Sequence, residues 1–205
     1  PGEAGSGAQR TTIGNVASLE ATLRGETTVK NIAGQVTLTH RAGRVSIEEA
    51  AAVKLTGRGS DVTVSNVRGD ASFTMQCGEL RAASVKGPIE VEAQNADVVF
   101  KKLDDAQGSV RVNATGGSVT LEGLRGDARV DGRNTEITIE MSKPAAIAVY
   151  NEGDEPIEIT TPPGGFVLDA ITKEGRLNLP DDIRAAVSAS PQDTEGEQRA
   201  SGAVR

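Results

Sequence analysis

The chain has 205 residues, a formal net charge of −7 and aromatic residues at only 2%, with no Trp. So few large rings exclude a conventional core built around them. The acidic balance, with Arg41, Arg44, Lys54, Arg58, Arg68, Arg81 and Lys86 set singly among acidic residues, lacks the clustered positive charge that nucleic acid requires.

Residues 1–11 are mostly small and polar and are expected to form a flexible lead-in. The chain opens on Pro1-Gly2-Glu3 without an initiating Met or a signal-like apolar stretch, so a processed product that has lost a targeting or anchoring segment is expected. No apolar run approaches the ~20 residues of a membrane-spanning helix.

From residue 12 a short phrase recurs. It reads Ile13-Gly14-Asn15-Val16-Ala17-Ser18, Val29-Lys30-Asn31-Ile32-Ala33-Gly34 and Val64-Ser65-Asn66-Val67-Arg68-Gly69. It returns as Ala82-Ala83-Ser84-Val85-Lys86-Gly87 and Leu121-Glu122-Gly123-Leu124-Arg125-Gly126. Weaker copies end at Ala52 and Asp105, and the steps between closing residues are 16, 18, 17, 18, 18 and 21. A period of this size marks a repeat architecture. Ser18–Gly25 has the marks of a helical cap, but the register favours a first, imperfect coil.

Between the phrases, apolar and polar residues alternate in short β-branched runs, from Val36/Leu38, Val45/Ile47 and Val53/Leu55 through Ile137/Ile139 to Leu177/Leu179. Each run reads as a strand with one buried face. Glycines nine apart (Gly25, Gly34, Gly43; Gly69, Gly78, Gly87; Gly108, Gly117, Gly126) place a turn at each half-period. Two strands and two turns per unit predict an all-β, single-stranded, right-handed parallel β-solenoid (β-helix) of about 18 residues per coil, with nine or ten coils and a length of roughly 45 Å. A meander of antiparallel hairpins is the competing reading, but it would not keep a coil-length register. Residues 12–205 are taken as one domain, regular to about 180, with an irregular cap over 181–205. Within that cap, residues 190–200 read as a loop, and 201–205 as the start of another half-coil.

The sequence offers no catalytic, cofactor or metal site. His40, the only histidine, is expected at an exposed coil corner, without the partners that a ligand or general base needs. Cys77, the single cysteine, is expected to be a partly buried bystander beside the turn at Gly78; it cannot form an internal disulfide or a cysteine-rich zinc site. Asp70 and Asp127 share a post-glycine slot, with Asp104 and Asp105 close to it, and such stacking could build a cation or sugar site. Gln35 and Pro88 hold the same slot elsewhere, which favours solvated turn residues. Asn15, Asn31 and Asn66 share one register position, and their tolerance of left-handed geometry assigns them a turn role. Gly116-Gly117 does not continue into a calcium-binding nonapeptide. Of the four aromatics, Tyr150, Phe73, Phe100 and Phe166, at least two point inward by pattern.

The phrase Val-x-Asn-Val-Arg-Gly-Asp followed by alternating strands, at residues 64–75 and in related form at 121–130, resembles the bacterial adhesin-type β-solenoid domains, a family of unknown function. The resemblance covers about residues 12–180. It implies a right-handed, non-catalytic solenoid, usually outside the cytoplasmic membrane and often behind a signal or anchor, and it transfers no functional residues. The resulting expectation is a non-enzymatic scaffold or adhesin of the cell envelope, extracytoplasmic and monomeric. Its partner would be a protein or glycan held on the outer strand face, with no cofactor, no nucleic acid and no membrane insertion. The alternatives are a polysaccharide-active parallel β-helix enzyme, which would need outward aromatics, and a self-assembling envelope or cytoskeletal scaffold joined through its terminal strands.

Overall fold

A computed structural model describes residues 10–103, 108–162, 166–179 and 197–204. Its strands are β1 (Arg10–Gly14), β2 (Leu19–Val67), β3 (Ala71–Val85), β4 (Ile89–Lys101), β5 (Val110–Thr115), β6 (Ser118–Leu124) and β7 (Ala128–Arg133). They continue as β8 (Glu136–Met141), β9 (Ala146–Gly153), β10 (Ile157–Thr160), β11 (Phe166–Glu174), β12 (Leu177–Asn178) and β13 (Glu197–Val204). The chain winds as a parallel β-solenoid of about nine turns. Successive coils pair in parallel at an offset of 18 residues where β3 meets β4 and where β5 meets β7, as in Phe73↔Val91 and Val112↔Val130. The offset grows to 21 between β4 and β5, because three extra residues enter between Lys101 and Val110. The hairpin alternative is excluded by these parallel ladders.

The alternating aliphatic residues fill the interior. Val36, Leu38, Val45, Ile47, Val62, Val64, Ile89, Val91, Ile137 and Ile139 are all buried, and Phe73 and Phe100 stack tilted with ring centroids 6.0 Å apart. A strand that alternates this way has one face to bury, and stacking at fixed register sets each Val over its equivalent on the next coil.

The recurring phrase is one corner of the coil. Its third residue (Asn15, Asn31, Glu49, Asn66, Ser84, Lys102 and Gly123) is left-handed, with φ from +55° to +78°. The fourth residue then turns inward: Ile32, Ala50, Val67, Val85, Leu103 and Leu124 are buried. The opposite corner repeats the device at Ala42, Gly59, Cys77, Asn95, Gly116, Asn134 and Glu174, with φ from +48° to +69°. There the next residue is small. At Gly78 and Gly117 a Cβ would collide with the backbone of Ser60 and Ala96 one coil earlier, so those slots exclude any side chain.

The two ends differ. Thr11, Ile13, Leu19, Ala21 and Leu23 on the first coil are half-buried and Val16 is 36% exposed, whereas Thr27, Val29, Ile32, Val36 and Leu38 on the next are fully covered. Leu19 opens a strand, so Ser18–Gly25 forms the first coil rather than a helix. At the far end β13 runs antiparallel along β11, Phe166↔Val204 through Lys173↔Glu197. This corrects two expectations: strand begins at Glu197, inside the segment read as a loop, and 201–204 reverse direction instead of starting another coil. Alternation alone does not distinguish a parallel from an antiparallel neighbour, and here the antiparallel strand closes the sheet edge. The closing element anticipated at residues 181–187 lies outside the described residues, as do residues 1–9 of the lead-in.

Candidate binding face

One broad outward surface is the sheet in which β5, β7, β9 and β11 follow the first half of β4. Three polar rows cross it. One runs Glu90, Arg111, Arg129, Ala148, Asp169; the next runs Glu92, Asn113, Asp131, Tyr150, Ile171; the third runs Gln94, Thr115, Arg133, Glu152, Lys173. Strand pairing spaces neighbours in a row by ~4.8 Å. Arg129 donates from Nε and Nη2 to the two carboxylate oxygens of Asp131, at 2.7 and 3.0 Å. Those bonds and the charge of Asp131 push the Arg129 guanidinium above its ordinary value. Arg133 pairs with Glu152 at 3.2 Å, Arg199 of β13 reaches Asp169 at 3.4 Å, and the Lys173 ammonium lies 5.9 Å from the Tyr150 ring centroid.

The small side chain of Ala148 leaves a dip between Arg129 and Asp169, within a depression of about 740 Å³ that Arg111, Asn113, Asp131 and Val167 also line. A second depression of about 450 Å³ runs beside it, lined by Glu92, Gln94, Thr115, Arg133, Tyr150 and Glu152. Asn113 and Asp131 border both, which makes one continuous trough. Planar donors and acceptors at strand spacing, with one ring and the aliphatic Ile171 and Val167 at one end, suit an extended polar chain. Sequence reasoning did not single out this face, although outward parity in residues 111–133 carries its signal.

The residues that were singled out lie elsewhere. His40 is fully buried, not exposed, because it continues the inward parity of Val36 and Leu38. Its Nδ1 lies 2.9 Å from the buried Ser60 Oγ. Desolvation lowers its pKa, with partial opposition from the backbone of Gly25. Cys77 is exposed, not partly buried, since its left-handed corner turns the side chain outward. Asp70 and Asp127 are not brought together: the ladder puts Pro88 and Ser109 on the two coils between them. Ser109 also takes the slot that Asp104 and Asp105 were read as approaching, and those two lie outside the described residues. The Asp127 carboxylate accepts the backbone N–H of Ala146 at 3.0 Å, tying one coil to the next. Asn15, Asn31 and Asn66 do share a left-handed corner, and Asn31 Nδ2 donates to Asn15 Oδ1 at 3.3 Å. Phe73 and Phe100 point inward and Tyr150 outward; the Phe166 side chain lies outside the described residues.

Among the described residues no group of three or more His, Cys, Asp or Glu is placed to hold a metal ion. Among the same residues no helix is long and apolar enough to cross a membrane. Comparison with protein-family models, with curated proteins and with solved structures finds no match to this chain.

Proposed function

We propose that the chain is a non-enzymatic module of the bacterial cell envelope, a scaffold or adhesin that holds a protein or glycan partner along its β5–β7–β9–β11 face. The observation that carries this reading is the pair of adjoining depressions over Arg111, Arg129, Asp131 and Tyr150. Extended ligands are recognised by such rows, in which the backbone ladder fixes the spacing and the side chains supply complementary polar groups. The extracytoplasmic location rests on the resemblance of the repeat phrase, and the lack of a catalytic role on the same ground. Burial of Phe73 and Phe100 leaves Tyr150 as the ring available to stack on a sugar among the described side chains, which weighs against the polysaccharide-active alternative.

The test is binding of labelled protein to a glycan array and to whole bacterial cells, with Arg111→Ala and Tyr150→Ala on the face and Arg81→Ala on the opposite sheet. The expected result is binding that falls with the first two and persists with the third. Uniform behaviour of all three variants would overturn the assigned face. Release of reducing ends from a uronate polymer would overturn the non-enzymatic reading.

A further inference from the structure

Among the described residues the first coil leaves its end of the inward column open. Among the described residues β1 pairs only with Glu26–Lys30 of β2. The segment Leu19–Arg24 opens β2 on the same coil, with Leu19, Ala21 and Leu23 turned inward and half-exposed, and Glu20, Thr22 and Arg24 outward and exposed. A depression of about 560 Å³ opens there, lined by Thr11, Thr22, Leu23, Arg24, Arg41 and Ala42. At the opposite end β13 covers the edge of β11, with Leu168 and Ala170 of β11 and Ala200 of β13 buried. Head-to-tail stacking is therefore blocked on that sheet, while among the described residues no strand pairs with the outer edge of the first coil.

The sequence of that edge is complementary to itself. In antiparallel pairing, residues directly opposite each other project to the same side of the sheet. A two-fold axis through Thr22 sets Glu20 against Arg24 of a second copy, Arg24 against Glu20, and the inward Ala21 against Leu23. Two outward ion pairs and two inward apolar pairs form at once, and every residue keeps the facing it has in the single chain. A shift of the axis by one residue keeps inward against inward but sets Glu20 against Thr22 or Glu26 and loses both ion pairs, and an axis between two residues sets inward against outward. The pattern thus selects one register and one partner.

We infer that the surface of the first coil is a self-association site, and that two copies of this chain join end to end through antiparallel pairing of Leu19–Arg24 about Thr22. The interface is isologous and stops at two copies. It goes beyond the proposed binding face, which lies on later coils and stays open in the pair. The monomer expected from sequence is the competing outcome.

The experiment is sedimentation velocity of the full chain over a dilution series, with Glu20→Arg, with Arg24→Glu, and with the two variants mixed. The wild type is expected to reach twice the mass of one chain and no more. Each single variant sets like charges opposite each other at both pairs and weakens the dimer about tenfold or more, while the mixture restores opposite charges and a heterodimer. Both positions are exposed, so melting curves taken at dilutions where every protein is monomeric should match the wild type. A wild type that stays monomeric at every concentration overturns the inference, as does growth into longer assemblies. A dimer indifferent to the single substitutions, or a mixture that fails to recover, overturns it as well.

Discussion

His40 Nδ1 sits 2.9 Å from Ser60 Oγ inside the rod, with both side chains shielded from solvent. Ser60 Oγ also lies 3.3 Å from the carbonyl oxygen of Arg58 and 3.4 Å from that of His40, so its proton has acceptors besides the ring. Burial holds the imidazole below its ordinary pKa, since a charge there would lose its hydration. In the unfolded chain the same ring titrates at its ordinary value and binds more protons across the interval between the two. The stabilisation from a neutral His40 is therefore complete above the unfolded pKa and lost as pH falls through the folded one. Thermal melts from about pH 7.5 down to about pH 5 should show a falling midpoint, with a shallower fall in His40→Leu. Parallel curves for the two proteins would remove His40 as the cause.

The facing of the strands is checked most directly at Val64 and Ser65. Val64 is buried and paired with Ala82, whereas Ser65 beside it is half-exposed and paired with Ala83. Val64→Asp places a carboxylate in an aliphatic column without a donor, at a cost of about 4 kcal/mol or more, enough to unfold a marginal rod. Ser65→Asp keeps its charge at the surface and should change stability by less than about 1 kcal/mol. Urea unfolding of the two variants measures both numbers, and equal losses would contradict the assigned parity.

The corners depend on backbone geometry. Asn66 has φ +58° and is exposed, so its identity matters through conformation more than through packing. Asn66→Gly removes any Cβ strain and should leave the unfolding midpoint nearly unchanged. Asn66→Val forces a β-branched residue into the left-handed region and should cost about 1–2 kcal/mol. Tolerance of Val at this site would mean that the corner does not depend on left-handed geometry.

These same residues explain what the sequence could and could not convey. Asn15, Asn31 and Asn66 were legible as a turn position because Asn tolerates this conformation, and each phrase around them repeats an inward apolar residue one place later. Lys102, Glu49 and Cys77 adopt the same conformation without the chemistry that advertises it, because ladders on both sides leave the chain no other path. His40 was misread by residue type: polarity suggested the surface, while parity with Val36 and Leu38 pointed inward. The reversal at β13 left no local trace, since an edge-covering strand alternates like any other. The trough was missed because outward residues are free to be almost anything polar, and only the ladder reveals which of them stand side by side.

Gly132 and Asn151 occupy adjacent coils of one inward column, paired directly in the ladder. Asn151 is buried, and its Nδ2 donates to the carbonyl oxygens of Thr135 at 3.0 Å and Glu155 at 3.1 Å, which fixes the widened corner between β9 and β10. Its Oδ1 occupies the space that a side chain at 132 would need: a Cβ there would stand 2.6 Å away. Asn151 cannot swing aside without giving up both bonds. Gly132→Ala should therefore cost about 2 kcal/mol by strain, and Asn151→Ala about 1–3 kcal/mol by leaving the carbonyls of buried Thr135 and of Glu155 without this donor. The double variant no longer holds Oδ1, so its loss should fall short of the sum by about 1 kcal/mol. Denaturant unfolding of the four proteins gives this coupling, and strict additivity would show that the missing Cβ at Gly132 and the amide of Asn151 do not compete for the same volume.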